Sequence, residues 1–172
     1  MMKRYFFDMD GTLAIYHRWV YTSTKTEQWW NKIAGTHYYA TVPPHIKMVD
    51  FVKQRLQEDP QSVYILTSVG VNDAAAYYEH TADKICWIQK YLPELLPEHF
   101  LVVATRRPEQ GKVTKSMVAE KTLGRPLCSD DFLYDDFNLN LQEWKQAGGT
   151  PVKVLNGINH KPSDMDWFDI RF

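Results

Sequence analysis

The amino-acid sequence predicts an α/β fold built on a mostly parallel, doubly wound sheet. Two observations carry that expectation. Short apolar runs suited to buried strands alternate with stretches of helical periodicity along most of the chain. Polar residues also follow several of those runs, and right-handed crossovers bring the carboxyl ends of such strands to one edge of the sheet.

The first run is Tyr5-Phe6-Phe7, aromatic throughout and fit for a strand buried on both faces. It ends in Asp8-Met9-Asp10-Gly11-Thr12-Leu13, where Gly11 lets the chain turn. Residues 14–42 then break the strand–helix rhythm. They hold Tyr16, Trp19, Tyr21, Trp29, Trp30, Tyr38 and Tyr39, with a short helix expected over 26–34 and Gly35 as its stop. After Pro43-Pro44, residues 45–58 have helical spacing, with Ile46, Val49, Val52 and Leu56 on one face.

The run 63–66 is a second strand, followed by Thr67-Ser68. Asn72 or Asp73 caps a long helix to about Tyr91. A strand over 100–104 leads into a loop with Arg106, Arg107, Pro108 and Gly111, then a helix over 114–123 stopped by Gly124. The strand 132–134 ends in Asp135-Asp136. A helix over 139–147 is closed by Gly148-Gly149, and 152–155 is the last clear strand. Residues after Asn156 form a tail that Trp167, Phe168 and Phe172 should pack somewhere.

The 172 residues suffice for one domain, expected to span 1–172 with a small insertion. A net charge of -1 argues against a general binder of nucleic-acid polymers or membranes. Cys86 and Cys128 lie far apart in no metal-binding spacing, which suits reduced thiols in a cytoplasmic protein. The apolar run near the N-terminus is too short for a signal peptide, and no run approaches a membrane span.

The chemistry concentrates where strands end. Asp8 and Asp10 follow the first strand, Thr67 and Ser68 the second, and Asp135 and Asp136 the fourth. Two unit charges about 5 Å apart repel by roughly 3 kcal/mol at an effective dielectric of about 20. Carboxylates gathered at one edge therefore need a cation with a taste for oxygen, or one of them must take up a proton. An EF-hand calcium loop fits poorly, because counting from Asp8 places Leu13 and Trp19 where that loop needs its Gly and Glu.

The six residues Asp8 to Leu13 resemble the first motif of the haloacid dehalogenase (HAD) superfamily, Asp-x-Asp-Gly-Thr-Leu. Ile65-Leu66-Thr67-Ser68 is similar to its second motif and Leu133-Tyr134-Asp135-Asp136 to its fourth. The third is a lysine near the start of the helix before the last of these. Lys115 suits it best, with Lys112 and Lys84 as alternatives. The resemblance implies a three-layer, Rossmann-like sheet with a small helical cap, here 14–42, inserted after the first strand.

It also implies a Mg²⁺-dependent phosphomonoester hydrolase. Asp8 would be the nucleophile and form an aspartyl-phosphate, and Asp10 the general acid and base. Asp8, the backbone carbonyl of Asp10 and Asp135 would hold Mg²⁺, with Asp136 behind them. Thr67, Ser68 and Lys115 would bind the phosphate.

Chain size, the early cap and the segment Tyr134-Asp135-Asp136-Phe137-Asn138 resemble the 5'-nucleotidase (deoxyribonucleotidase-like) branch. The substrate would then be a small phosphorylated metabolite such as a nucleoside 5'-monophosphate, with Trp19, Trp29 and Trp30 as stacking candidates. A non-catalytic module that binds a phosphorylated ligand through a retained pocket is the alternative. A phosphoacceptor domain of the response-regulator type would leave the Asp-x-Asp-Gly-Thr spacing unexplained.

Overall fold

The computed structural model describes residues 2–15, 33–70, 74–105, 111–156 and 168–171. Its strands are β1 (Arg4–Phe7), β2 (Val63–Gly70), β3 (Phe100–Thr105), β4 (Asp131–Asp135), β5 (Thr150–Leu155) and β6 (Phe168–Arg171). Its helices are α1 (Tyr38–Thr41), α2 (Ile46–Glu58), α3 (Ala74–Tyr91), α4 (Lys115–Leu123) and α5 (Asn138–Gln146). The strands form one sheet in the order β3-β2-β1-β4-β5-β6, and every neighbouring pair is parallel.

Alternation along β1 sorts the core into two layers. Phe7 packs with Ile65, Tyr134 and Val152 against α2 (Met48, Val49, Val52, Leu56) and α3 (Trp87, Ile88). Phe6 faces the other way, with Tyr64, Leu66 and Leu133, against α4 (Ala119) and α5 (Leu141, Trp144). Helices thus cover both faces of the sheet, as a parallel sheet requires. The buried indoles are satisfied: Trp87 Nε1 donates to the Val42 carbonyl at 2.7 Å and Trp144 Nε1 to the Asp131 carbonyl at 3.0 Å.

β1 is paired on both edges, to β2 and to β4. The chain runs outward one way through β2 and β3 and the other way through β4 to β6. The order reverses between β1 and β4, and the crevice beyond the strand ends at such a point is where open α/β sheets bind ligands.

Several expectations are corrected. Thr67 and Ser68 lie inside β2, which continues to Gly70 because β3 pairs with it as far as Gly70↔Thr105. Ile46 points to solvent, and Met48 takes the inward place in its helix beside Val49 and Val52. The tail contributes β6, parallel to β5. Of 14–42, residues 14, 15 and 33–42 are described. They include α1, where no helix was expected, while Trp19, Trp29 and Trp30 lie outside the described residues.

Candidate active site

The loop after β1 folds back on itself: Gly11, Leu13 and Ala14 hydrogen-bond within the turn, and the Ile15 N–H reaches the Pro43 carbonyl. Gly11 has φ +82°, and a Cβ there would collide with the Asp136 carboxylate. The turn therefore needs glycine for backbone and for space. Asn156, just past β5, donates to the Gly11 carbonyl at 2.6 Å and to Asp136 Oδ2 at 2.7 Å. One side chain so fixes the β1 loop against the acids that follow β4.

Asp8, Asp135 and Asp136 are buried, and each offers a carboxylate oxygen within 4.8 Å of the others. The buried Lys115, first residue of α4, reaches between two of them: its Nζ donates to Asp8 Oδ1 at 2.5 Å and Asp135 Oδ2 at 2.6 Å. Thr114 caps that helix, its hydroxyl accepting from the Met117 N–H, which sets where Lys115 starts. Asp135 is further held by the Phe137 N–H at 2.7 Å and Asn140 Nδ2 at 2.9 Å.

Burial pushes the Asp8 carboxyl well above its usual range. Lys115 opposes that shift, while Asp135, Asp136 and Asp10 add to it. Burial alone would pull Lys115 down, but the Asp135 and Asp8 carboxylates outweigh it and hold the ammonium above its ordinary value.

Asp10 has its own lysine. The buried Lys84 of α3 donates to Asp10 Oδ2, to Thr67 Oγ1 at 2.8 Å and to the Ser68 carbonyl at 3.1 Å. The Tyr39 ring lies 4.8 Å from its Nζ. The other oxygen of Asp10, Oδ1, is buried with no hydrogen-bond partner among the described residues. Lys112, the remaining candidate, turns outward and pairs with Glu143. Lys153 of β5 donates to the Asp136 carbonyl and to Asn138 Oδ1.

Asp8, Asp10, Thr67, Lys115, Asp135 and Asp136 thus converge at the β1–β4 crevice. Asp136 offers a carboxylate oxygen alongside Asp8 and Asp135, and the Asp10 carboxylate pairs with Lys84. Asn140, Asn156 and Lys153 escaped the sequence reading. The signals for Asn140 and Lys153 were an asparagine in the first turn of the helix after an acid pair and a lone lysine within an apolar strand run.

A buried set of carboxylates whose charge the lysines only partly balance, with an acid pushed toward protonation, suits a hard divalent cation with oxygen ligands such as Mg²⁺.

No protein-family model and no curated protein matches the chain. Solved structures share its fold. A HAD-superfamily hydrolase from Ehrlichia chaffeensis superimposes with a TM-score of 0.56 at 11% identity, over 99% of this chain and 92% of that one. A structure described as a dehalogenase gives 0.60 at 11% identity, over 98% and 92%. The D,D-heptose 1,7-bisphosphate phosphatase of B. bronchiseptica, complexed with magnesium and phosphate, gives 0.59 at 13% identity, over 92% and 83%.

Proposed function

We propose that this chain is a HAD-type phosphatase that hydrolyses a small phosphomonoester through an aspartyl-phosphate on Asp8. The observation that carries the reading is Lys115 bridging Asp8 and Asp135 beside Asp136, at the crevice where the strand order reverses. Asp8 attacks phosphorus and the ester oxygen leaves with the alcohol. Asp10 supplies the proton to that oxygen from its unengaged Oδ1 and later takes one from the attacking water.

Thr67 accepts a hydrogen bond from Lys84, so its own hydroxyl proton is directed elsewhere and can be given to a phosphoryl oxygen. Lys115 and Ser68 line one cleft and would bind the same phosphoryl group. Asp8, Asp135 and the Asp10 backbone carbonyl would hold Mg²⁺, which when bound neutralises carboxylate and phosphate charge. The small cap expected over 14–42, with Trp19, Trp29 and Trp30 as its stacking candidates, falls largely outside the described residues.

Replacing Asp8 with Asn tests the reading. Hydrolysis of p-nitrophenyl phosphate with Mg²⁺ should fall by roughly 10³-fold or more, with an unchanged circular-dichroism spectrum. Retained turnover would remove Asp8 as nucleophile.

A further inference from the structure

Beside the acidic cluster lies a cleft of about 350 Å³. Ser68 and Lys115 form part of its lining, and both belong to the phosphate end of the proposed site. Beyond them the walls turn apolar. Val103 comes from β3, Val113 from the approach to α4, Phe137 from the turn after the acid pair and Leu139 from the first turn of α5. Val113, Phe137 and Leu139 are 36%, 47% and 44% exposed, so two separate segments present exposed apolar surface to one hollow. Apolar surface gathered around a concavity that adjoins a polar cluster marks a ligand site.

The polar groups at the margin narrow what fits. Lys112 is already paired with Glu143, so it offers no unmatched charge to a second phosphate. The Asn140 amide is committed to Asp135. A polyhydroxylated sugar entering here would give up hydrogen bonds to water and find few in return among the described residues. A flat ring would bury its faces against Val103, Val113, Phe137 and Leu139 while a phosphate joined to it stays at Lys115.

We infer that this cleft receives the alcohol portion of the substrate, and that the substrate is a monophosphate ester carrying an apolar or aromatic ring in place of a sugar phosphate or a bisphosphate. The inference rests on the phosphatase reading for its orientation, with the phosphate at Lys115 and the ring outward.

Two measurements test it separately from that reading. The first compares kcat/KM for naphthyl phosphate with that for glycerol phosphate and a hexose phosphate, in wild type, Phe137→Ala and Leu139→Ala. Both side chains are largely exposed, and the Phe137 N–H that holds Asp135 is kept. The ring ester should be preferred by roughly 10–100-fold. Each variant should lose most of that preference, and the loss should appear in KM for the ring ester. The second is calorimetric binding of phenylphosphonate against methylphosphonate with Mg²⁺, which requires no turnover.

Tighter binding of the phenyl compound, lost in Phe137→Ala, supports the cleft even if nothing is hydrolysed, in which case the phosphatase reading falls alone. Equal binding of the two phosphonates, or a variant that slows every ester alike, overturns the cleft and leaves the phosphatase reading standing.

Discussion

At the scale of single residues, the site is a problem of placing cations among buried acids. Lys115 separates Asp8 from Asp135. Lys115→Met would leave those carboxylates facing each other, and breaking a buried pair costs about 3–5 kcal/mol. Urea unfolding in EDTA should show a loss of that order, and added Mg²⁺ should recover part of it through binding to the folded state. An unchanged midpoint would mean that Lys115 does not hold the cluster together. At Gly11, alanine meets both a φ of +82° and the Asp136 carboxylate. Gly11→Ala should cost about 1–3 kcal/mol from the backbone alone, read as a lower urea midpoint at unchanged slope. The sequence marked the acids by their positions after strands. It favoured Lys115 over Lys112 and Lys84 by position alone, because the direction a lysine side chain takes depends on what packs around it. Lys112 finds Glu143 outside, whereas Lys84 and Lys115 turn inward to different aspartates.

At the scale of elements, α1 is tied to α3 by carboxylates one helical turn apart. Glu79 accepts from the Gly35 and His37 N–H groups, and His37 Nδ1 lies 2.9 Å from Asp83 Oδ1. His37 takes a left-handed φ of 53°, a conformation that this clamp stabilises. The hydrogen bond and charge of Asp83 raise the His37 pKa above its ordinary 6.5. Because the folded value is the higher one, the pair stabilises fully below 6.5 and loses its contribution as pH rises through the raised value. Wild type should therefore melt above His37→Ala in acidic buffer, and the gap should close in alkaline buffer. A gap independent of pH would assign His37 a purely steric role. Helix α1 was illegible in the sequence because it is a single turn held by partners more than 40 residues away. The length of β2 was misjudged for a similar reason: Thr67 and Ser68 look like turn residues until β3 is laid beside them.

At the scale of the whole molecule, alternation of strands and helices disclosed a parallel sheet, since each run carries its own pattern. Strand order was not legible, because it depends on which way each crossover goes. The fourth position of the sheet belongs to β4 and the acids it delivers, 120 residues or more from those of β1. Native-state hydrogen exchange should show the hierarchy. Amides of Phe6 and Phe7, paired on both sides, should exchange only at the rate of global unfolding, and those of β6 at the sheet edge much faster. Equal protection would contradict the strand order.

The central place of β1 also bears on how the chain is made. Its sequence leaves the ribosome well before that of β4, the strand that covers its second side and begins at Asp131. At about 5–20 residues per second, roughly 6–25 s pass between their syntheses. For that time a Tyr-Phe-Phe ribbon has an open flank able to zip onto another nascent chain. Yield in a crowded cell should thus depend on translation speed across the middle of the message more than on the stability of the finished protein.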